Sequence, residues 1–333
     1  MFEKLMHDRV LHRALALALA TGAPLGAQVV QVRATVSEAL PHYQPAVLIK
    51  GRLEIPCTDA LADLGEEWNR GFRKFHREAS LVFPPRLSTE AVKALQAGSA
   101  PLVIVAREMT AEESKAFQDR YGYLPMRIPV CLDATIVFVN KANPIEAISM
   151  EQLDAIYSKS RLGGAPAPAW VWGDLGVKGE LAQRPINAYA RAEGTATRAA
   201  FAGAVLLKGE YRPGIIDKED STALAEAVST DAAGIAFGPM ASWFATNKVL
   251  PVIPFKGTEA RYPTQEMVTR SLYPMPGLFC AYLNRPPGAP VPPAVNETLH
   301  FLLAQEGQNE VADVGLLPGP VEFMASALKR LDR

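Results

Sequence analysis

The chain has 333 residues, 49% of them hydrophobic and 21% charged, which is ample for a packed core in one large or two medium domains. Its 34 basic and 35 acidic side chains nearly cancel, to a net charge of −1, and this excludes a basic nucleic-acid binder and an acidic disordered tail. Cys57, Cys131 and Cys280 lie far apart with no CxxC pair, so neither a disulfide scaffold nor a zinc cluster of ordinary spacing is expected.

The first thirty residues read as an address. Lys4, Arg9 and Arg13 precede an apolar run from Ala14 to Ala20, and small residues follow as far as Ala27. That layout predicts a secretory signal peptide over residues 1–27 and a periplasmic destination for the rest. Leu25 and the early acids Glu3 and Asp8 depart from the ideal pattern; a transmembrane helix is the runner-up reading, and a buried or frayed N-terminal helix the plainer one. Gly22, Pro24, Gly26 and Gln28 interrupt the uncharged stretch 14–32 and argue against a membrane span.

From Ala46 onward short apolar runs alternate with amphipathic stretches. Val47–Ile55 reads as a strand interrupted at Gly51. Leu61, Leu64, Trp68, Phe72 and Phe75 then recur at helical spacing within 58–78. Ala79–Phe83 and Leu102–Ala106 read as strands on either side of a Thr89–Ala97 helix stopped by Gly98. Thr110 and Glu113 form a capping box whose helix ends at Gly122, and Ser149 with Gln152 form a second box before a helix to Tyr157. Strands are predicted over Asp133–Asn140, Ile186–Ala190, Gly234–Gly238 and Gly277–Asn284, and helices over Thr197–Leu207, Ser221–Val228 and Glu297–Ala312. Such succession predicts parallel sheets covered by helices in two α/β lobes.

No enzyme signature emerges. His7, His12, His42, His76 and His300 are scattered without HExxH spacing, and there is no GxSxG, Walker A or GxGxxG motif. The expectation is therefore no catalysis, no cofactor and no metal. More informative are three hydroxyl-bearing loops that follow a strand and open a helix: Thr58-Asp59, Ser88-Thr89-Glu90 and Arg191 through Thr195, Ala196 and Thr197. A helix start offers unpaired N–H groups and a positive dipole end, hydroxyls add donors, and an arginine adds a charged fork. Each hydroxyl taken singly reads as an ordinary N-cap, and only the combination with Arg191 lifts the ligand reading. Asp59, Glu90 and Glu193 sit beside these starts, where acids favour the dipole but repel a dianion.

At these residues the chain resembles the phosphate-binding proteins of bacterial phosphate ABC transporters, in the periplasmic type 2 solute-binding superfamily. The matching stretches are Arg191-x-x-x-Thr195-Ala196-Thr197 with Phe201, Asn140-Lys-Ala-Asn-Pro144, Ser149 to Tyr157, Trp172-Gly-Asp-Leu-Gly176, Gly234 to Phe237 and Gln305-Glu-Gly-Gln308, in order over about Ile55 to Pro318. The resemblance implies two lobes, 46–140 with 275–333 and 141–274, joined by crossover strands with a hinge near Asn140 and Tyr273. It implies inorganic phosphate or a similar oxyanion as the ligand, held by Thr58, Asp59, Ser88, Thr89, Arg191, Thr195, Ala196 and Thr197 in a monomer, with an ABC permease as partner. The family's transporter members carry an Asp that accepts the proton of hydrogen phosphate; here that region, Ala100 to Arg107, has no acid. Glu90 or Asp59 is the expected substitute, Glu90 foremost. Ala196 stands where the family has glycine. A binding-protein fold whose pocket has decayed into an adaptor surface is the rival reading, and a hydrolase on the same lobes a third. Arg107 is expected to pair with Glu112 or to touch the anion, and Cys131 and Cys280 to be buried free thiols rather than a disulfide.

Overall fold

The computed structural model describes residues 34–240 and 246–332; the expected signal peptide lies outside them. Ten strands form one curled sheet. In its first half the short parallel strands Pro85–Arg86, Cys57–Thr58 and Leu102–Val105 lie side by side, and Pro276–Leu283 runs antiparallel to the last of them. In its second half Gly234–Pro239, Asn187–Arg191 and Ile216–Lys218 are parallel neighbours. Two further pairs, Gly51–Glu54 with Ala79–Val82 and Ile148–Ser149 with Val252–Ile253, stand apart from it.

The strand Met126–Asn140 belongs to both halves. Residues 126–134 pair with Pro276–Leu283, and 135–139 pair with Gly234–Pro239. Its change of partner falls between Ala134 and Thr135, upstream of Asn140, because the strand runs unbroken through both halves. Asn140 instead ends it, donating from its side chain to the Val228 and Ser229 carbonyls at 3.0 and 2.7 Å. The returning segment crosses at the same level: Thr135 N–H bonds the Met275 carbonyl at 3.0 Å, and the Tyr273 hydroxyl donates to the Thr135 carbonyl at 3.0 Å.

Each half encloses its own apolar core. Leu64, Trp68 and Phe72 recur at intervals of four on the helix Ala62–Phe72 and sink completely, or within 1% of it, against Leu81, Leu102 and Phe301. The Trp68 indole donates to the Gly307 carbonyl at 2.9 Å, so the buried ring leaves no orphaned donor. Burying such a side chain is worth roughly 2–3 kcal/mol. The second core gathers Phe138, Tyr157, Trp172, Phe201 and Phe237.

Local signals set the helix boundaries. Thr110 Oγ1 accepts the Glu113 N–H and the Glu113 carboxylate accepts the Thr110 N–H; Ser149 and Gln152 repeat the exchange at 3.1 and 2.9 Å. Gly98 and Gly122 close their helices at φ of 76° and 81°. The expected helix Glu297–Ala312 is two helices, Pro293–Leu303 and Gln305–Asp313, broken at the extended Ala304. The Gln308 side chain holds the turned segment, donating to the Val130 and Leu302 carbonyls and accepting the Gly319 N–H. Arg107 pairs with Glu113 through two bonds of 2.7 Å, not with Glu112. All three cysteines are buried free thiols; Cys131 lies opposite Phe279 and Cys280 opposite Pro129.

Candidate functional site

The carboxyl ends of parallel strands in both halves deliver helix starts to one region. Cys57–Thr58 leads into the turn Asp59–Leu61, and its neighbour Pro85–Arg86 leads to the helix Ser88–Ala97. From the other half, Asn187–Arg191 leads to the helix Ala196–Ala204, and Ile216–Lys218 to the helix Ser221–Thr230. The Asp59–Leu61 turn packs against the Ala196–Ala204 helix, so the halves meet there. The first N–H groups of a helix have no intrahelical partner, and together with the dipole they make such ends receptive to anions.

Thr58 is completely buried, extended in backbone, and makes no cap bond from its side chain. Among the described residues its Oγ1 has no hydrogen-bond partner, and neither has the buried Ser88 Oγ. Ser88 is the first helical residue rather than the cap, which is Leu87. The N-cap account therefore holds for neither hydroxyl. Leaving a buried hydroxyl unpaired costs about 1–3 kcal/mol, so two of them, one at the end of Cys57–Thr58 and one at the helix start that follows the neighbouring strand Pro85–Arg86, mark a place prepared for an acceptor.

Arg191 is 8% exposed at the end of its strand. Its guanidinium donates to Ser221 Oγ at 3.1 Å, to the Glu219 carbonyl at 3.2 Å and, across to the other half, to Asp59 Oδ2 at 2.8 Å. Nε is buried without a partner. Thr197, in the first turn of the next helix, is buried as well, while Ala196 is partly exposed. Thr195 is that helix's N-cap, and its hydroxyl is spent on the Ala192 carbonyl at 2.9 Å.

Thr89, Glu90 and Glu193 are exposed. Glu90 turns back on its own helix, accepting the Leu87 N–H at 3.4 Å. Asp59, half-buried, is thus the acid that reaches Arg191. Two residues of the site escape sequence reading. Ser221 opens a helix behind Asp220, which caps it, so nothing in Lys218-Glu219-Asp220-Ser221 sets the serine apart. Arg198 holds the Arg191 main chain: it donates to the Arg191 carbonyl at 3.0 Å, pairs with Asp217, and stacks its charge 4.5 Å from the Tyr211 ring centroid. Among the described residues no cluster of three or more His, Cys, Asp or Glu side chains forms a metal site.

The chain is similar to known proteins over most of its length. A PBP superfamily domain matches residues 49–306. The phosphate-binding protein PstS of Pseudomonas aeruginosa is 30% identical over 298 residues, covering 90% of this chain and 92% of that protein. A substrate-binding protein from Clostridium perfringens solved with bound phosphate superposes with a TM-score of 0.64 at 20% identity, over 81% of this chain and all of that one. An ABC-type phosphate transport receptor from Vibrio cholerae gives 0.63 at 17% identity, over 80% of this chain and 99% of that one. The shared architecture is the type 2 periplasmic-binding-protein fold. The chain belongs to the PBP superfamily and, within it, to the family of PstS phosphate-binding proteins.

Proposed function

We propose that this is an exported solute-binding protein that captures phosphate or a similar tetrahedral oxyanion between its two lobes, without catalysis, for an ABC-type permease or a sensor. The observation that carries the reading is the set of buried, unpartnered donors, Thr58 Oγ1, Ser88 Oγ and Arg191 Nε, contributed by both halves of the sheet at strand ends. Such groups in a low-dielectric setting bind an anion far better than the same groups in water, because they need no reorganisation. We assign the ligand contacts to Thr58, Ser88, Arg191 and Thr197 with the first amides of their helices. Thr195 holds the loop, and Thr89 and Glu90 stay outside the contact set. The lobe boundary follows the strand pairing, at Thr135 and Met275.

Closure of one lobe on the other is the accompanying motion, pivoting on the two segments that cross at Thr135. The rival adaptor reading draws on Ala196 in place of a loop glycine and on Asp59 already seated on Arg191. Titration calorimetry of the chain from residue 28 onward with phosphate, sulfate and a phosphate monoester separates the possibilities. Saturable heat with phosphate is expected; silence with every anion favours the adaptor, and turnover of the ester a hydrolase.

A further inference from the structure

The Arg191–Asp59 pair joins groups from opposite halves of the molecule. Arg191 Nη2 lies 2.8 Å from Asp59 Oδ2, the arginine side chain being 9% and the aspartate 36% exposed. Arg191 is otherwise anchored entirely within its own half, to Ser221 and Glu219. Asp59 has no other bond from its carboxylate among the described residues, and it stands one residue after Thr58, whose hydroxyl has none. The carboxylate is therefore an anionic oxygen pair presented by one lobe to the guanidinium of the other, at the strand ends where the unpartnered donors gather.

We propose that Asp59 is a built-in competitor for Arg191: in the absence of captured anion it latches the lobes together, and the anion binds by displacing it. This rests on the oxyanion-capture reading above. The thermodynamic consequence has a definite sign. A contact made only when no ligand is bound stabilises the free protein, so it lowers apparent affinity by the factor by which it enriches the latched form. The pair is suited to that role because removing it from the free protein costs the ligand complex nothing, provided the displaced carboxylate makes no bond to the anion. Asp59 thus sets the concentration of anion at which the lobes engage their ligand, and lets the free protein rest in a form that is already drawn together.

The test compares the chain from residue 28 onward with its Asp59→Ala and Asp59→Asn variants. Spin labels on Lys93→Cys and Glu226→Cys, exposed on helices of opposite halves, report lobe separation, the native cysteines being buried. Without phosphate, both variants are expected to show a longer and broader separation than the parent; with saturating phosphate all three should coincide. Calorimetry with inorganic phosphate should show at least a tenfold tightening in Asp59→Ala, equivalent to about 1.4 kcal/mol. Unchanged separation without phosphate overturns the latch, and so does weaker phosphate binding in both variants, which would make Asp59 a ligand contact. If no form binds phosphate while the labels still move apart in the variants, the capture reading fails and the contact between lobes stands by itself.

Discussion

Asp133 Oδ1 accepts the backbone N–H of Met240 at 3.0 Å, tying the crossover strand to the end of Gly234–Pro239 at the level where that strand changes partners. Burial pushes the Asp133 carboxyl up to about 6, against the pull of the Met240 and Ala134 N–H groups. Because the folded value lies above the unfolded one, the folded chain holds the extra proton. The favourable contribution is complete below pH 4 and is lost as pH rises through 6. Asp133→Asn keeps an oxygen for Met240 and removes the buried charge. It should raise stability at pH 8 by about 1–3 kcal/mol and do nothing at pH 4. Urea unfolding at the two pH values checks this; a loss at pH 8 would mean that the carboxylate is needed as an anion.

Thr58→Val exchanges an unpartnered buried hydroxyl for a methyl of the same shape. Without phosphate the variant should be more stable by about 1 kcal/mol, since the desolvation penalty of the hydroxyl disappears. With phosphate it should bind at least tenfold more weakly, and the stabilisation that phosphate gives the parent should shrink accordingly. Thermal unfolding without phosphate and with phosphate at about a thousand times its dissociation constant shows both at once. A variant that loses stability and retains affinity would place Thr58 in the core alone.

Apolar strands such as Leu102–Val105, Gly234–Pro239 and Pro276–Leu283, the capping boxes and the glycine stops were legible because each is a local code: an apolar run, a Thr-x-x-Glu or Ser-x-x-Gln exchange, a left-handed residue; the two-residue strands Cys57–Thr58 and Pro85–Arg86 are too short to show a pattern. The helix break at Ala304 was not, since no proline or glycine stands at it, and the Gln308 bonds to the Val130 and Leu302 carbonyls and from the Gly319 N–H that hold the turn follow no local code. At the site, Thr58, Ser88 and Arg191 could be picked out as donors at strand-to-helix junctions. Their burial, and the pairing of Arg191 with Asp59 rather than with anything near Glu90, depend on contacts across 132 positions of sequence. Ser221 was hidden for the same reason.

His76 supplies a pH dependence of opposite sign to that of Asp133. Its Nδ1 accepts the Ile49 N–H at 3.1 Å, which leaves the proton on Nε2, 2.6 Å from the Tyr43 hydroxyl. That hydroxyl donates to Glu297 Oε2 at 2.5 Å, and Glu297 Oε1 accepts the Ala46 and Val47 N–H groups. The network straps residues 43–49 onto the first core. Burial lowers the His76 value from its ordinary 6.5, with the Glu297 charge opposing. Its stability contribution is therefore complete above pH 6.5 and is lost as pH falls below it. Hydrogen exchange at the Ile49 amide should accelerate relative to Leu102 between pH 7 and 5. His76→Asn, which retains an acceptor for Ile49 but cannot take a proton, should flatten that change.

Glu90→Gln tests whether the exposed acid serves the ligand. Since among the described residues its carboxylate engages only the Leu87 N–H, an amide oxygen replaces it well. Phosphate affinity should stay within twofold of the parent, with at most about 0.5 kcal/mol lost from the start of the Ser88–Ala97 helix. A tenfold weakening in calorimetry would return Glu90 to the role of proton acceptor.

Gly307 shows how closely the helices Pro293–Leu303 and Gln305–Asp313 approach. A Cβ built there would lie 2.2 Å from the Phe301 carbonyl oxygen and 2.7 Å from Leu302 Cα, both of them backbone atoms that no rotamer change can move. Gly307→Ala must therefore part the Pro293–Leu303 and Gln305–Asp313 helices, disturbing the Trp68 bond to the Gly307 carbonyl, and should cost at least about 3 kcal/mol. Gly203 is the matched control, with nothing within 4 Å of its built Cβ in the Ala196–Ala204 helix. Gly203→Ala should gain up to about 1 kcal/mol from helix propensity. Urea midpoints of the two variants should move in opposite directions. If they move together, the tight turn at Ala304 does not set the register of the C-terminal helices, and the first core tolerates a wider spacing there than its packing implies.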